Sequence, residues 1–311
     1  MSNQAIQTRA EQLASLPRAN WATALEKPAP LDFVLPGLLA GGVGLVVGAG
    51  AIGKTYLALE ILRGFVIGDG VAADDGCALF NGSELGEPDT CGAILGEDPP
   101  EVIQHRLHSL AMGMRLDQAD AYFLHQTVDI ISGVGIDLRL IQRDAQGNTA
   151  PGPFYPLLRV FCEKKRLVVL DPLILFAGGI PENDNTGMSE FMRMLTRLAY
   201  ETGCAILVLH HAGKGGAEGR EDADRARGAS AISTSVRLQI DLRKPSADDL
   251  KSLGVAAEDR DLYVRVAYTK HNYCAPRQAA FLQRGDGGVL KCVTAVRSLV
   301  SKHGGRGDED L

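Results

Sequence analysis

One glycine-rich segment carries the clearest chemistry in this 311-residue chain. It reads Gly48-Ala49-Gly50-Ala51-Ile52-Gly53-Lys54-Thr55 and has the spacing G-x-x-x-x-G-K-[ST]. Glycines at this spacing let the backbone wrap a phosphate, and the N–H groups at the start of the following helix attract its negative charge. Lys54 would reach the β- and γ-phosphates, and the Thr55 hydroxyl would be a ligand of Mg²⁺. The segment therefore predicts a site for a nucleoside triphosphate, ATP, with Mg²⁺.

The same segment also fits a second fingerprint. Its first, third and sixth residues match G-x-G-x-x-G of dinucleotide-binding proteins, and Asp74 or Asp75 lies near the distance expected for a ribose-binding acid. That alternative leaves the Lys-Thr pair unexplained and assigns no role to the acids that follow later strands. The triphosphate site is therefore favoured over the dinucleotide site and over an ordinary glycine turn.

Two acids follow short apolar runs. In Arg166-Leu167-Val168-Val169-Leu170-Asp171 the run delivers one carboxylate to the sheet edge, where the second Mg²⁺ ligand of a phosphate-loop site usually lies. An aspartate that only caps the next loop is the alternative. After a second run, Glu97 is placed to orient a water in line with the γ-phosphate, and its neighbour Asp98 is a weaker candidate. An acid that stabilises the next helix N-terminus is the alternative for Glu97.

Adjacent histidines, His210 and His211, follow the predicted strand from Cys204 to Leu209. Neighbouring residues of a strand point to opposite faces, so only one of the two can face the site. Further ligands at metal-binding spacing are missing, which favours a polar sensor of the γ-phosphate over a metal pair. A strand-end histidine satisfied by local hydrogen bonds is the alternative.

The elements that must position these groups alternate along the chain. Short apolar runs predict strands, and apolar residues at helical spacing predict helices. Strands alternating with helices imply right-handed crossovers and a mainly parallel central sheet flanked by helices, so the predicted fold class is α/β. The predicted strands are at 43–47, 91–95, 122–124, 167–170 and 205–209, and the predicted helices are at 56–66, after Pro99-Pro100, at 154–164 and at 188–202.

After residue 235 the predicted strands follow one another without long helices. They lie at 236–242, 262–268, 279–282 and 289–293, with a turn at Gly285-Asp286-Gly287-Gly288. These strands could extend the sheet or form hairpins. A further hairpin is predicted around Ala145-Gln146-Gly147-Asn148.

Composition limits the functional classes. A net charge of −6 excludes nucleic-acid binding over the whole surface, and 5% aromatic residues disfavour a base-stacking surface. The six cysteines never have C-x-x-C spacing, so no zinc site is predicted. The uncharged span 33–53 is long enough to cross a bilayer, but its seven glycines disfavour a lipid-facing helix, so no membrane contact is expected. The N-terminal residues lack the apolar run of a signal peptide, and a cytoplasmic protein is expected.

Taken in order, several segments resemble the RecA-like P-loop ATPases, and most closely the RepA hexameric replicative helicases of IncQ-type plasmids. The resemblance spans roughly residues 30–295. Its segments are Leu31-Asp32-Phe33-Val34-Leu35-Pro36, the Gly48–Thr55 segment, Gly96-Glu97-Asp98-Pro99-Pro100, Val168-Val169-Leu170-Asp171-Pro172, Leu209-His210-His211-Ala212-Gly213-Lys214-Gly215, Arg227-Gly228-Ala229-Ser230 and Thr269-Lys270-His271-Asn272-Tyr273.

This resemblance implies a ring, commonly a hexamer, with ATP between neighbouring subunits and single-stranded DNA in the central channel. It makes Glu97 the catalytic carboxylate, Asp171 the metal-site acid, and one of the two histidines the sensor. Arg227 or Lys270 would reach the γ-phosphate of a neighbouring subunit, with Arg225 a weaker candidate. For each basic residue, a surface position or a local ion pair is the alternative.

The charged, glycine-rich segment 212–226 follows the sensor strand. In a ring it would project toward the channel, where Lys214 and Arg220 could contact DNA phosphates, although its four acids also suit a solvated loop. The expected organisation is an N-terminal arm at 1–30 that packs between subunits, a RecA-like ATPase domain with C-terminal β hairpins at 31–300, and a disordered tail at 301–311.

The expected function is an ATP-dependent helicase or translocase on single-stranded DNA in the replication of a plasmid or mobile element. A replication initiator or primase is a further expected partner. The alternative is a regulatory or recombinase-like RecA-type ATPase that binds DNA or a partner without unwinding.

Overall fold

The apolar runs of the sequence become strands in a computed structural model that describes residues 14–73, 77–143, 149–182, 184–211 and 230–294. The strands are β1 (Phe33–Leu35), β2 (Leu38–Leu39), β3 (Val43–Gly48), β4 (Cys91–Leu95), β5 (Val128–Ser132), β6 (Ile141–Arg143), β7 (Thr149–Pro151), β8 (Leu167–Asp171), β9 (Ala205–His211), β10 (Leu238–Arg243), β11 (Tyr263–His271), β12 (Ala280–Arg284) and β13 (Leu290–Val293).

Helices occupy most of the segments between the strands. They are α1 (Lys54–Ile67), α2 (Pro100–Gly113), α3 (Gln118–Thr127), α4 (Tyr155–Cys162), α5 (Leu173–Phe176), α6 (Asn185–Thr202), α7 (Ser230–Ser235) and α8 (Ala247–Leu253).

Nine of the described strands form one sheet in the order β13-β12-β11-β10-β3-β9-β8-β4-β5. Every neighbouring pair from β10 to β5 is parallel, whereas the pairs β10–β11, β11–β12 and β12–β13 are antiparallel. The C-terminal strands therefore extend the central sheet, which decides between the two arrangements that the sequence left open. In a parallel sheet the carboxyl ends of the strands lie at one edge, and this edge carries the predicted site residues.

Helices cover both faces of the sheet, and this explains the uniformly apolar central strands. On one face, Leu57, Ile61 and Phe65 of α1 join a buried cluster with β3 and β9. On the opposite face, α6 contributes Phe191 and Leu195 to a second buried cluster. Since α1 begins immediately after the glycine-rich segment, burial of its apolar side fixes that segment against the sheet.

One predicted strand is wrong and one strand was missed. Residues 122–124 lie inside α3, not in a strand. This helix begins after Asp117, whose side chain accepts a hydrogen bond from the Asp120 N–H while the Asp120 carboxylate bonds back, and this capping outweighs the β preference of Tyr122 and Phe123. The chain then enters the edge strand β5, which the sequence analysis did not predict.

The predicted hairpin near residue 146 is present as the antiparallel pair β6–β7, although the four turn residues named for it lie outside the described residues. The uncharged span 33–53 contains β1, β2, β3 and the glycine-rich loop, and no described helix is long and apolar enough to cross a membrane. Cys77 and Cys292 are joined by a disulfide that the sequence did not predict.

The described part of the N-terminal arm forms a unit of its own, assigned to Met1–Leu31. A short 3₁₀ turn at Trp21–Thr23 begins after Asn20, whose side chain accepts a hydrogen bond from the Ala22 N–H. The side chains of Trp21 and Leu25 are almost fully exposed, at 93% and 102%. At the other end of the chain, the tail predicted at 301–311 lies outside the described residues.

Candidate nucleotide site

The glycine-rich loop joins the end of β3 to the start of α1. Gly53 lies in the left-handed region at φ 108° and is the N-terminal cap of the helix, so the chain turns sharply into its first turn. A side chain at Gly48 would meet Ile52 at 2.8 Å, whereas a Cβ at Gly50 would meet no atom within 4 Å. The loop is thus tightly packed at its base and open at its tip, as a backbone cradle for phosphate requires.

Lys54 is drawn into this loop and is only 5% exposed. Its Nζ donates hydrogen bonds to the carbonyl oxygens of Gly48 and Ala49, each at 2.9 Å, and lies 3.1 Å from Nδ1 of His211. Burial lowers the pKa of the Lys54 ammonium, and the carboxylates of Asp171 and Glu97 oppose that shift. The ammonium therefore lies at the base of the loop with its three donors directed to nearby acceptors.

Thr55 and Asp171 meet although 116 positions separate them in sequence. The Thr55 hydroxyl donates a hydrogen bond of 2.6 Å to Oδ2 of Asp171, which ends β8 and is 8% exposed. Burial is the main cause that raises the pKa of Asp171, and the hydrogen bond from Thr55 opposes it. A hydroxyl and one carboxylate are oxygen donors of the kind that Mg²⁺ accepts beside phosphate oxygens and water, so the pair fits this ion. Among the described residues no group of three His, Cys, Asp or Glu side chains forms a metal site.

His211 lies between Lys54 and Glu97. Its Nε2 is 3.8 Å from Oε2 of Glu97, and its Nδ1 faces the Lys54 ammonium. Because an ammonium can only donate, Nδ1 must accept, which assigns the ring proton of neutral His211 to Nε2 on the side of Glu97. The three side chains thus form a continuous polar row along the carboxyl edge of β3, β9 and β4.

Glu97 and Asp98 differ in their partners. The Asp98 carboxylate pairs with Arg106 at 2.9 Å and is 17% exposed, whereas the Glu97 side chain is 60% exposed beside His211. The backbone of this segment is also anchored, since the Ser132 hydroxyl donates to the Asp98 carbonyl at 2.8 Å. The geometry therefore makes Glu97 the better candidate to meet a water near the loop.

His210 points away from the row, as the alternation of strand residues requires. It is 8% exposed, and its Nδ1 lies 3.9 Å from Oε1 of Glu182. Burial lowers the pKa of His210 to about 4, and the nearby positive charges of His211 and Lys54 add to the effect. Of the two histidines, His211 is the one that the structure brings to the loop.

The basic residues predicted to act on a neighbouring subunit or on DNA are mostly outside the described residues. Lys270 is described, and its Nζ donates to the carbonyl oxygens of Ser233 and Thr234 at 2.8 and 3.0 Å, near the C-terminal end of α7. The predicted residues that lie outside the described part of the chain are Arg225, Arg227, Lys214 and Arg220, together with the acids Asp74 and Asp75 of the dinucleotide alternative.

Two arginines near the site were missed by the sequence analysis. Arg106 on α2 lies 5.3 Å from the ring centroid of Tyr56, the residue after Thr55, while it pairs with Asp98. Arg284, at the end of β12, donates to loop carbonyls. The position of Arg106 on the helix after Glu97 is a weak local signal, but nothing in the local sequence distinguishes Arg284 from a surface arginine.

A phosphate loop after a parallel strand, with an acid at the end of a nearby parallel strand, defines a P-loop nucleotide-binding protein. Residues 9–217 match the AAA domain family AAA_25. Because this match covers more than half of the chain, the protein belongs to that family. The chain is also similar to the solved ATPase domain of a helicase, with a TM-score of 0.54 and 15% identity over 94% of this chain and 98% of that chain. At this identity the likeness concerns the fold, and it confirms the predicted RecA-like P-loop NTPase architecture.

Proposed function

We propose that this protein is an ATP-hydrolysing, ring-forming helicase or translocase that acts on single-stranded DNA in the replication of a plasmid or mobile element. The observation that carries the proposal is the convergence of Lys54, Thr55, Asp171, Glu97 and His211 at one sheet edge. Membership of an AAA domain family and the fold shared with a helicase ATPase domain support the same activity. The resemblance of the ordered segments to the plasmid RepA helicases supports the narrower role, in the cytoplasm.

Each of these side chains has a separate task in hydrolysis. Lys54 exchanges its loop carbonyls for β- and γ-phosphate oxygens, and the N–H groups at the start of α1 hold the same phosphates. Thr55 and Asp171 hold Mg²⁺, which supplies positive charge to those phosphates. Glu97 orients the attacking water and accepts its proton, and His211 senses the γ-phosphate through its contact with Lys54.

His211 also explains how hydrolysis would reach DNA. It is the last residue of β9, so a change at its ring is passed directly to the segment 212–226. We assign Lys214 and Arg220 of this segment to DNA phosphates, and Arg227 to the γ-phosphate of the neighbouring subunit. Lys270 is the alternative for that second role, although its ammonium is already bonded to carbonyls of α7.

The chain would be organised for a ring. We propose that residues 1–30 form an arm that packs on the adjacent subunit, with 31–300 as the ATPase domain and 301–311 as a tail. The exposed Trp21 and Leu25 support this, because large apolar side chains at full exposure favour an intermolecular contact. A replication initiator or primase would be the loading partner.

The test is the rate of ATP hydrolysis with and without single-stranded DNA, together with displacement of a labelled strand from a forked duplex. We expect DNA to stimulate hydrolysis and ATP to drive displacement. The double variant Lys214→Ala/Arg220→Ala should lose the stimulation and keep the basal rate, while Lys251→Ala, on the exposed surface of α8, should behave as the wild type.

Hydrolysis that is insensitive to DNA, with no displaced strand, would contradict the motor function. Particle mass with and without ATP separates a closed ring from the alternative, a RecA-type regulatory or recombinase-like ATPase that forms filaments without unwinding.

A further inference from the structure

The hairpin formed by β12 and β13 reaches the phosphate loop from the antiparallel end of the sheet. At the end of β12, Nη2 of Arg284 donates to the carbonyl oxygens of Ala51 and Ile52 at 3.3 and 3.1 Å. Within the described residues no carboxylate pairs with Arg284, so its charge is directed to the loop backbone. One side chain that is 232 positions away in sequence from Ile52 thus bridges two consecutive peptides of the loop.

Those two peptides form the strained part of the loop. Ala51 has a φ of 60°, the left-handed region that costs a residue with a Cβ about 1 kcal/mol or more. The surrounding structure must hold this conformation, and the bonds from Arg284 to its carbonyl and to the next one do so.

Peptide planarity then gives these bonds a consequence for anion binding. In a trans peptide the C=O and the following N–H point in opposite directions. The bond from Arg284 to the Ile52 carbonyl therefore turns the Gly53 N–H away from the guanidinium. Gly53 directly precedes α1, where the free N–H groups of the first turn form the phosphate cradle.

The hairpin itself is fixed against the same region. A Cβ at Gly53 would lie 2.9 Å from Cδ1 of Leu290, and one at Gly288 would lie 3.0 Å from the Tyr56 ring. Arg284 and Leu290 are partners in the register of β12 and β13. Arg284 is thus presented to the loop by a hairpin that packs on both sides of it.

We propose that Arg284 is a positioning residue for the phosphate loop: it holds the Ala51 and Ile52 peptides so that the following N–H groups face a bound phosphate, and its charge adds to the attraction of that anion. The inference rests on the proposed function as a nucleotide hydrolase and adds a residue to it. Because the loop holds the phosphates before and during the reaction, Arg284 contributes to nucleotide binding in both states. Its loss raises KM more than it lowers kcat.

The experiment measures binding of fluorescent ADP and the steady-state kinetics of ATP hydrolysis for Arg284→Ala, Arg284→Lys and the wild type. For Arg284→Ala we expect about a tenfold rise in both the ADP Kd and KM, with kcat within about twofold. Arg284→Lys keeps a charged donor and should recover part of the affinity. Gln283→Ala, at the exposed neighbouring position of the same strand, should match the wild type, and thermal unfolding of all variants tests for a fold defect.

The outcomes separate this inference from the proposed function. Unchanged ADP affinity in Arg284→Ala, an equal loss in Gln283→Ala, or a fall in kcat without a rise in KM or Kd would overturn the role of Arg284 and leave the ATPase in place. Binding that depends on Arg284 in a protein that does not hydrolyse ATP would support the inference while the proposed function fails. A wild type that binds no nucleotide would overturn both.

Discussion

The two halves of the large sheet contribute to the site in different ways. Strands β3, β9, β8 and β4 are parallel, so their carboxyl ends share one edge, and the side chains at those ends contact one another. In the antiparallel strands β11 to β13 the direction alternates, and the basic side chains Lys270 and Arg284 contact backbone carbonyls instead. The parallel half therefore brings reactive groups together, while the antiparallel half braces the segments that carry them.

The largest effect that this comparison predicts is the loss of Lys54. Lys54→Ala removes the buried ammonium that faces the loop carbonyls and His211, so we expect hydrolysis to fall by roughly 10³-fold and nucleotide affinity to fall with it. Steady-state ATPase rates and ADP binding check this. Lys251→Ala, whose ammonium is exposed on α8, is the matched control and should keep both values. A variant of Lys54 that hydrolyses ATP at the wild-type rate would separate the reaction from the parallel half.

Asp171→Asn tests the carboxyl end of β8. The amide keeps the size of the side chain and removes its negative charge beside Thr55, so we expect hydrolysis at saturating Mg²⁺ to fall by roughly 10²-fold. Titration of activity with Mg²⁺ should also shift to higher concentration. Asp261→Asn, at an exposed ion pair with Lys244, should leave the Mg²⁺ titration unchanged.

His210 should show its burial as a pH-dependent stability. Its pKa is about 4 in the folded chain and near 6.5 when unfolded, so only the unfolded chain takes up the proton between these values. The free energy of unfolding should therefore fall as pH decreases from 6.5 to 4, by at most about 3 kcal/mol, and change no further below pH 4 from this group.

Urea unfolding of the wild type and of His210→Asn over that pH range measures this contribution as the difference between the two curves. Parallel pH dependences would show that His210 titrates alike in both states, which contradicts its buried position.

The smallest effect is expected for Lys270. Lys270→Ala removes two hydrogen bonds to carbonyls near the end of α7, and we expect about 1 kcal/mol lower stability with kcat within about twofold. Urea unfolding and ATPase assays measure the two quantities. A large fall in kcat at unchanged stability would instead make Lys270 the residue that acts on the neighbouring subunit, in place of Arg227.

The sequence predicted the phosphate loop and the acids well because their signals are local. The loop spacing and the carboxylates that follow apolar runs depend only on neighbours in the chain, and the parallel sheet brings their ends to one edge. The choice between His210 and His211 required the pairing of β9 with β3, which places His211 opposite Gly48.

Other features depend on contacts that no local pattern records. The helix at 118–127 was predicted in part as a strand because its aromatic residues outweighed the capping by Asp117 and Asp120. The edge strand β5 has few buried residues and so lacks the apolar run that marked β8. Arg284 reaches the loop only because the last strands extend the sheet past β3.

The account rests most directly on Glu97 as the residue that activates water. The decisive measurement is the rate of ATP hydrolysis at saturating ATP for the wild type and for Glu97→Gln, with bound nucleotide measured on the same samples. Glu163→Gln, at an exposed position after α4, is the control. We predict that Glu97→Gln binds nucleotide within about threefold of the wild type while kcat falls by roughly 10²- to 10⁴-fold. Equal values of kcat in the wild type and Glu97→Gln would contradict the account.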